Sequence, residues 1–217
     1  RLAALLACAW TAAAATAEYP GWVLAAHEGN LETGYALYRS QQPGDDFARW
    51  RIEAELAAPA DVVEKAALAG IVDGRHAPSD RRQHLLRREG DVYWLHTELE
   101  FSLVADRDVV LRVEYLRDPT TDIRRIEWRA EPQAGPPPAP GVVRLSVSSG
   151  FWEFTPAGPR RTHGRYESYA EPGGPFPSWL VEAIVRSQIV EQLKQLRSAV
   201  AEVSAALPPV AARADEG

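Results

Sequence analysis

The sequence predicts an α+β domain in which a curved antiparallel sheet wraps around a long C-terminal helix and leaves an internal cavity between them. Two patterns carry this prediction. Between residues 82 and 170, apolar and polar residues alternate with the period of two that is typical of strands with one wet face. After residue 177, apolar residues recur every three to five positions, which indicates a helix with one buried face.

Composition and charge indicate one globular domain. The chain has 217 residues, of which 46% are hydrophobic and 25% are charged, as in ordinary globular proteins. Its formal net charge of -6 argues against nucleic acid as a partner, because binding phosphates takes a basic face. We interpret the arginine pairs Arg81–Arg82 and Arg87–Arg88 as part of a solvated strand surface.

Residues 1–17 predict a signal peptide with a truncated basic region, of which Arg1 remains. The apolar run that follows is too short to span a bilayer, and it ends in Ala15-Thr16-Ala17, the small-x-small pattern of a cleavage site. Cleavage after Ala17 would make the mature protein periplasmic or secreted. It would also remove Cys8, the only cysteine, and with it disulfides and thiol chemistry. The alternatives are a buried N-terminal helix and a lipoprotein signal that uses Cys8.

The first third of the mature chain predicts two helices and two strands. We expect a short amphipathic helix at 19–30, strands at 35–39 and 47–56, and a second helix that opens near Pro59 and ends at about Gly70. The second helix has apolar residues at spacings that suit a packed face.

The middle of the chain predicts the sheet. From about residue 82, five or six strands follow one another, and the clearest of them lie at 91–101, 109–115, 124–130, 142–154 and 162–170. The segment Gly135-Pro-Pro-Pro-Ala-Pro-Gly141 interrupts them, and it must be a connecting loop because proline cannot donate to a sheet ladder.

The final helix is predicted from Pro177 to about Leu207. Its apolar stripe comprises Leu180, Ile184, Ile189, Leu193, Leu196, Val200, Val203 and Leu207. The concave face of the sheet is the partner long enough to be covered by this stripe, with a second helix in a coiled coil as the alternative. A long helix seated on a bent sheet leaves space that side chains fill incompletely, and an apolar space of this kind suits a small molecule.

Four stretches of the sequence share an order and spacing with a known family. They are Gly90-Asp-Val-Tyr-Trp-Leu-His-Thr-Glu-Leu99, Asp106-Arg-Asp-Val-Val110, Gly150-Phe-Trp-Glu-Phe154, and Tyr166 with Glu171-Pro-Gly-Gly174 and Pro177-Ser-Trp-Leu180. In these stretches the chain resembles the START (StAR-related lipid-transfer) domains of the helix-grip (SRPBCC) superfamily, and in particular their bacterial branch. The resemblance covers Tyr19 to about Val203.

This resemblance implies a helix-grip fold with an internal lipid cavity and no catalytic residues. It makes residues 18–207 a START-like lipid-binding domain and leaves 208–217 as a flexible C-terminal tail. The chain departs from the family in one respect. Many START domains pair the arginine of the Asp-Arg-Asp strand with an acid on a neighbouring strand, and the equivalent position here is Arg82. Either another acid takes that role or the pair is absent.

Strand alternation and the helix stripe predict which side chains face the ligand. The expected ligand-binding residues are Arg107, Val109, Leu111, Val113, Ile126, Trp128, Val143, Leu145, Trp152, Tyr166, Leu180, Ile184 and Gln188. For the aromatic residues among them, core packing explains the pattern as well as cavity lining does.

Arg107 stands out because it opens an apolar strand and shares the inward face with Val109. A buried guanidinium needs a partner, because it keeps its charge. We expect that partner to be an acid such as Glu98 or Asp80, a backbone carbonyl, or the polar head of the ligand. The alternative is a surface arginine that bridges its two neighbouring aspartates in solvent.

The sequence lacks the usual marks of catalysis. Its five histidines have no metal-ligand spacing, and no nucleophile elbow, phosphate loop or dinucleotide fingerprint occurs. His96 and Glu98 share a strand face, which would allow general acid–base chemistry, but a partly exposed strand pair is the favoured interpretation.

The leading functional hypothesis is non-catalytic binding or transport of a lipid or another hydrophobic small molecule in the periplasm. The alternatives are a polyketide cyclase or aromatase-like enzyme of the same superfamily and an interaction module with a collapsed cavity. We expect no cofactor and no metal, a monomer, and a transient membrane contact. The first turns of the last helix are expected to open, with Gly173 and Gly174 as hinge, Ile184 controlling ligand retention and Leu193 controlling stability.

Overall fold

The structure is a computed structural model that describes residues 21–74, 81–101, 104–174, 176 and 178–206. The predicted signal peptide and C-terminal tail lie outside these residues. In chain order the elements are β1 (Val23–Glu28), β2 (Tyr35–Ser40), β3 (Arg49–Leu56), α1 (Ala60–Asp73), β4 (Arg81–Glu89), β5 (Val92–Leu99), β6 (Arg107–Arg117), β7 (Arg124–Ala130), a 3₁₀ helix (Pro132–Ala134), β8 (Val143–Arg144), β9 (Ser148–Gly158), β10 (Arg161–Ala170) and α2 (Ser178–Ala206).

The strands form one curved sheet in the order β1-β2-β3-β10-β9-β7-β6-β5-β4, with β8 paired to β6 outside this path. Every pair along the path is antiparallel, and β8 alone among the described strands runs parallel to its partner. The last strand, β10, pairs with β3, so it joins the N-terminal strands to the rest of the sheet, whose edges are β1 and β4. The predicted α+β fold with a curved antiparallel sheet and a long C-terminal helix is confirmed.

The two faces of the sheet differ as the alternation predicts. The inner face is buried through Leu95, Val113, Ile126, Trp152 and Tyr166. The outer face carries ion pairs between neighbouring strands. The carboxylate of Glu153 lies 2.9 Å from Arg165 and 3.1 Å from Arg125, and that of Glu167 lies 2.8 Å from Arg51. Register is therefore fixed, because a slip by one residue would bury these charges.

The helix predicted at 19–30 is wrong. Residues 21–30 contain strand β1, which pairs with β2 so that Val23 lies opposite Arg39 and Glu28 lies opposite Tyr35. Between the strands, the Asn30 side chain accepts hydrogen bonds from the backbone nitrogens of Glu32 and Thr33, both at 3.0 Å. A segment as short as the six residues of β1 forms a helix of low stability by itself. Pairing with β2 and the turn between the two strands therefore determine its conformation.

The strand predicted at 142–154 is two strands with different neighbours. The backbone nitrogen of Val143 donates to the Asp106 carbonyl (2.9 Å) and that of Leu145 to the Asp108 carbonyl (2.8 Å), so β8 joins β6. Strand β9 begins at Ser148 and instead joins β7 and β10. Alternation alone cannot reveal such a change of partner, because both strands have the same period.

Helix α1 begins and ends at residues suited to these positions. The Pro59 carbonyl accepts from the backbone nitrogens of Val62 (3.0 Å) and Val63 (3.1 Å). The helix ends at Gly74, whose φ of 64° is left-handed and suits glycine. The predicted apolar face of this helix is buried through Val62, Val63, Ala66 and Ala67.

Helix α2 buries the second half of the predicted stripe, namely Ile189, Leu193, Leu196 and Val200. In the first half of the helix, the buried face differs from the predicted stripe. The predicted stripe jumps five positions from Ile184 to Ile189, whereas a period of 3.6 residues followed back from Ile189 reaches Val185 and Val181. These two valines turn toward the sheet, so Leu180 and Ile184 lie beside the stripe. None of the described helices is long and apolar enough to cross a membrane.

Candidate functional site

A cavity of about 270 Å³ lies between the inner face of the sheet and the two helices. Strands β3 to β7, β9 and β10 contribute to its floor, and α1 and α2 cover it. Eight of the predicted ligand-binding residues line it: Val109, Leu111, Val113, Trp128, Leu145, Trp152, Tyr166 and Gln188. The structure therefore brings most of the predicted set together around one space.

Five predicted residues do not line the cavity. Leu180 and Ile184 are turned away by the helical period described above. Ile126 is fully buried but packs into the core. Val143 lies beside the segment before α2, because a Cβ at Gly173 would be 3.0 Å from its side chain. Arg107 is also directed toward that segment.

Three aromatic residues build one wall of the cavity. The Tyr166 ring lies 4.9 Å from the Trp152 ring and 5.3 Å from the Trp128 ring, measured between centroids. Gly150 permits this packing, since a Cβ there would stand 2.4 Å from the Trp128 indole and 2.3 Å from the Glu167 carbonyl. Burial raises the pKa of the Tyr166 hydroxyl, which therefore stays protonated at neutral pH.

Polar side chains enter the cavity at positions that the sequence did not single out. Arg81 and Gln83 come from β4, Thr97 from β5, and Gln192 and Gln195 from α2. Strand alternation explains the first two, because Arg81 and Gln83 are partly buried whereas the residues between and after them are exposed. The interpretation of Arg81 as solvated strand surface is thus wrong, while it holds for Arg82.

Helix α1 contributes lining residues that the sequence prediction also missed. Ala66, Ala67, Gly70 and Ile71 form part of the cover. Their spacing predicted a buried face, but a spacing cannot distinguish burial against another helix from burial against a cavity. Small side chains at this point leave room beneath the helix.

Arg107 is buried, with 5% of its surface exposed, so the alternative of a surface arginine is wrong. Its guanidinium donates to the carbonyls of Ala105, Pro172 (3.4 Å) and Gly173 (3.3 Å), and it lies 4.3 Å from the centre of the Phe176 ring. Among the partners expected, backbone carbonyls take the role within the described residues. Burial lowers the pKa of Arg107.

The two acids considered as partners of Arg107 do not take that role in the described structure. Glu98 points outward, 4.0 Å from His84. Asp80 lies outside the described residues. Arg82, at the position where the family has an acid, forms an ion pair with Glu100 on the outer face.

Asp108 is the centre of a second polar cluster, on the outer face. Its carboxylate accepts from Arg144 at 2.7 and 2.6 Å and lies 2.8 Å from His96 Nε2. Burial alone would raise the pKa of Asp108, but the hydrogen bonds from Arg144 and His96 leave it below its ordinary value. The expected pairing of His96 with Glu98 is wrong, and His96 does not line the cavity.

Arg144 extends this cluster to the proline-rich loop. Its guanidinium also donates to the carbonyls of Pro132 and Pro136, both at 2.8 Å. The cluster thus fastens the loop at 131–142 onto the outer face of β6, and its role is structural. Within the described residues, no group of three or more His, Cys, Asp or Glu side chains has the arrangement of a metal site.

Comparison with known proteins finds a similar sequence and similar structures. An uncharacterised protein of Pseudomonas aeruginosa is 32% identical over 202 residues, which cover 90% of this chain and 94% of that protein. The crystal structure of a STAR-related lipid transfer protein fragment from Xanthomonas axonopodis superposes with a TM-score of 0.71 and 26% identity, over 83% of this chain and 98% of that one. No protein-family model matches the chain.

More distant structures share the fold. Human StAR-related lipid transfer protein 5 superposes with a TM-score of 0.70 at 17% identity, over 87% of this chain and 90% of that one. A Streptomyces aromatase/cyclase superposes with a TM-score of 0.52 at 16% identity, over 74% and 96%. Together with the order of the sequence motifs and the sheet-and-helix architecture, these similarities show that the chain has the helix-grip fold of the START domains and is similar to a bacterial STAR-related lipid transfer protein.

Proposed function

We propose that the protein binds and carries a lipid or another hydrophobic small molecule in this cavity, as a monomer and without catalysing a reaction. The observation that carries the proposal is the apolar wall of an internal space of about 270 Å³ in a START fold. Pockets that bind small molecules are mostly apolar, with a few polar groups that fix orientation. Val109, Leu111, Val113 and Trp152 supply the apolar part here.

The enzymatic alternative finds little support in the ionisable groups of the cavity. General acid–base catalysis needs a group whose proton can move near neutral pH. Among the described lining residues, the acid is Glu182, which forms an ion pair with Arg39 at 2.7 Å, and none is a histidine, cysteine or aspartate. The likeness to the aromatase/cyclase concerns the fold alone.

Native mass spectrometry of the purified protein tests the proposal. We expect a retained adduct with the mass of a lipid or similar small molecule, which denaturation releases. Protein that has been stripped of adducts should take up a long-chain amphiphile with a stoichiometry of one. An empty protein that binds neither neutral nor charged amphiphiles would support the interaction module with a collapsed cavity instead.

Arg107 and the segment before α2 are proposed as the gate of the cavity. The hydrogen bonds from Arg107 fasten this segment, and Gly173 and Gly174 have φ angles of 66° and 73° that give it a left-handed turn. Since the cavity is covered by α2, a ligand passes most directly when these bonds break and the first turns of α2 move.

Replacing Arg107 with methionine should loosen this gate. The variant removes the donor from the carbonyls of Pro172 and Gly173, which are partly buried, so we expect a loss of about 1–3 kcal/mol in the free energy of unfolding and faster release of bound ligand. Thermal melts and stopped-flow release of a fluorescent lipid measure the two effects. Arg117→Met, on the exposed end of the same strand, is the control and should change neither. Unchanged release in Arg107→Met would contradict the proposed gate.

Transient membrane contact near the gate is proposed on the basis of an exposed aromatic residue. Trp179, in the first turn of α2, is 70% exposed, and tryptophan favours the interface between membrane and water. Trp179→Ser should weaken binding to phospholipid vesicles about tenfold in a sedimentation assay. Leu24→Ser on β1 removes another exposed apolar side chain and should have no such effect. Equal losses in both variants would count against a defined contact at α2.

We also propose that the protein is exported, with the small-x-small pattern before Glu18 as the support. N-terminal sequencing of the mature protein from a periplasmic fraction should begin at Glu18. A lipid-modified Cys8 would convert the protein into a membrane-anchored carrier. A cytoplasmic protein that retains residues 1–17 would contradict export.

A further inference from the structure

Arg81 brings a positive charge into a cavity that is otherwise lined mainly by apolar and neutral polar side chains. It lies on β4 opposite Leu99 of β5, and both residues line the space. Two residues further along the strand, Gln83 also turns inward. Arg82 between them points outward and pairs with Glu100, so neighbouring arginines have opposite environments.

Arg81 differs from the other described arginines whose Nε is buried without a hydrogen bond. Its Nε atom is buried and has no hydrogen-bond partner. Arg39, Arg49, Arg124 and Arg165 also leave Nε without a hydrogen bond, but each of them forms an ion pair with a carboxylate. Arg81 forms no ion pair within the part of the chain that the structure describes. A buried donor without an acceptor lowers the stability of the protein. A hydrogen-bond acceptor that entered the cavity beside this Nε atom would therefore be bound favourably.

The other charged groups nearby are already engaged. Leu99 separates Arg81 from Arg107 along one row of the sheet, and Arg107 is satisfied by backbone carbonyls. Glu182, the carboxylate among the described lining residues, is bound by Arg39. The charge of Arg81 is therefore left for something that enters the cavity.

Neutral hydrogen-bonding groups lie at the same end of the cavity. Tyr166 lines the cavity as well; burial raises the pKa of its hydroxyl, and the neighbouring Ser168, Arg81 and Gln192 act in the opposite direction. Thr97 is 3.4 Å from Gln83, measured from its hydroxyl to the amide oxygen. The Thr97 hydroxyl donates to the Gln83 amide oxygen, and the Gln83 amide nitrogen donates to the Ile71 carbonyl. The guanidinium of Arg81 is therefore left as a donor, and a guanidinium suits an anionic group with several acceptor oxygens.

We infer that the ligand is an amphiphile with one anionic head, a carboxylate or a phosphate, that binds to Arg81 while its apolar part lies along β6 and α2. This inference rests on the proposed function, since it names the class of ligand for the same cavity. Arginine is suited to the task because its planar fork donates two parallel hydrogen bonds to either anion. The head supplies the acceptor that the Nε atom of Arg81 lacks.

The test compares three ligands with the same ten-carbon chain: decanoic acid, decyl phosphate and decanol. Titration calorimetry on the stripped, full-length protein should show tighter binding of at least one anion than of the alcohol. Arg81→Gln should weaken binding of that anion about ten- to hundredfold and leave decanol unchanged. The preferred anion then identifies the carboxylate or the phosphate as the head.

Arg82→Gln is the matched control, since it removes the same charge one residue away on the outer face. It should leave all three affinities within about twofold, because exposed charges are screened. Equal binding of decanol and both anions by the wild type would overturn the inference while leaving the proposed function intact. Failure of all three ligands to bind would contradict the proposed function itself. If Arg81→Gln does not fold, the same titrations of Arg81→Lys and the preference of the wild type for an anion over decanol still test the inference.

Discussion

Asp108→Asn is expected to lower the free energy of unfolding by about 3–5 kcal/mol at neutral pH. Asp108 is 2% exposed, and its carboxylate neutralises the partly buried guanidinium of Arg144 through two hydrogen bonds. Asparagine has nearly the same shape, but it leaves Arg144 without a counter-charge and turns an amide donor toward other donors. Chemical denaturation of both proteins at pH 7 measures the difference.

The pH dependence of this difference is a second signature. The pKa of Asp108 is lowered in the folded protein, so its carboxylate stabilises the fold above the ordinary carboxyl pKa of about 4. This stabilisation is lost as the pH falls through the lowered pKa. The difference between wild type and Asp108→Asn should thus be full at pH 7 and shrink below pH 4.

Glu98→Gln provides the control for Asp108→Asn. Glu98 lies opposite Asp108 on the neighbouring strand but is exposed, so its loss should cost less than about 0.5 kcal/mol. A pH-independent difference for Asp108→Asn, or an equal cost for Glu98→Gln, would show that the cluster of Asp108, Arg144 and His96 does not stabilise the fold.

Leu193→Ala is expected to lower the free energy of unfolding by about 2–5 kcal/mol, because it leaves a cavity in a packed core. Leu193 is 2% exposed and lies in the middle of α2, where it joins the core without lining the ligand cavity. Ligand affinity should therefore remain close to that of the wild type in the folded variant. Urea denaturation and a ligand titration measure the two quantities.

Two leucines on the same helix serve as controls for Leu193→Ala. Leu180 is partly exposed, so Leu180→Ala should cost far less stability. Leu196 is buried and lines the cavity, so Leu196→Ala should lower stability and also change ligand affinity. Equal effects of all three variants on affinity would contradict the separation between core and cavity along α2.

The sheet and the final helix could be predicted from the sequence because each has one wet face and one dry face. On β6, Val109, Leu111 and Val113 lie at every second position, with Arg112 and Glu114 on the other face, and the structure places all three valine and leucine side chains on the cavity floor. The segment at 19–30 could not be assigned this way. Its conformation depends on pairing with β2, which is tertiary information that a short window does not contain.

The polar part of the cavity was harder to predict than its apolar part. Arginines on a strand usually lie in solvent, so the pair at 81–82 gave no sign that its first member turns inward. The partial burial of Arg81 follows from the position of β4 beside the helices, which the sequence does not reveal. For Arg107, alternation predicted burial, but the carbonyls of Pro172 and Gly173 that it binds lie 65 and 66 residues away in the chain.

The prediction of Ile184 as part of the buried stripe failed for a different reason. Leu180, Val181, Ile184 and Val185 are all apolar, so the first turns of α2 have two apolar faces to choose from. The structure directs the valines toward the cavity. We therefore expect Val181 and Val185, in place of Ile184, to control ligand retention. Stopped-flow release of a fluorescent lipid from variants of these valines tests this.

Photolabelling tests the central claim, that the internal cavity holds the apolar part of the ligand, most directly. A fatty acid with a diazirine in its chain is bound, irradiated and located by peptide mass spectrometry. Labels should fall on β6, on β10 and on α2 between Val181 and Leu196. Leu111→Trp, which fills the cavity, should abolish them, and Leu116→Trp, which points outward on the same strand, should not. Labels confined to exposed residues such as Trp179 and Leu85, with no effect of Leu111→Trp, would contradict the claim.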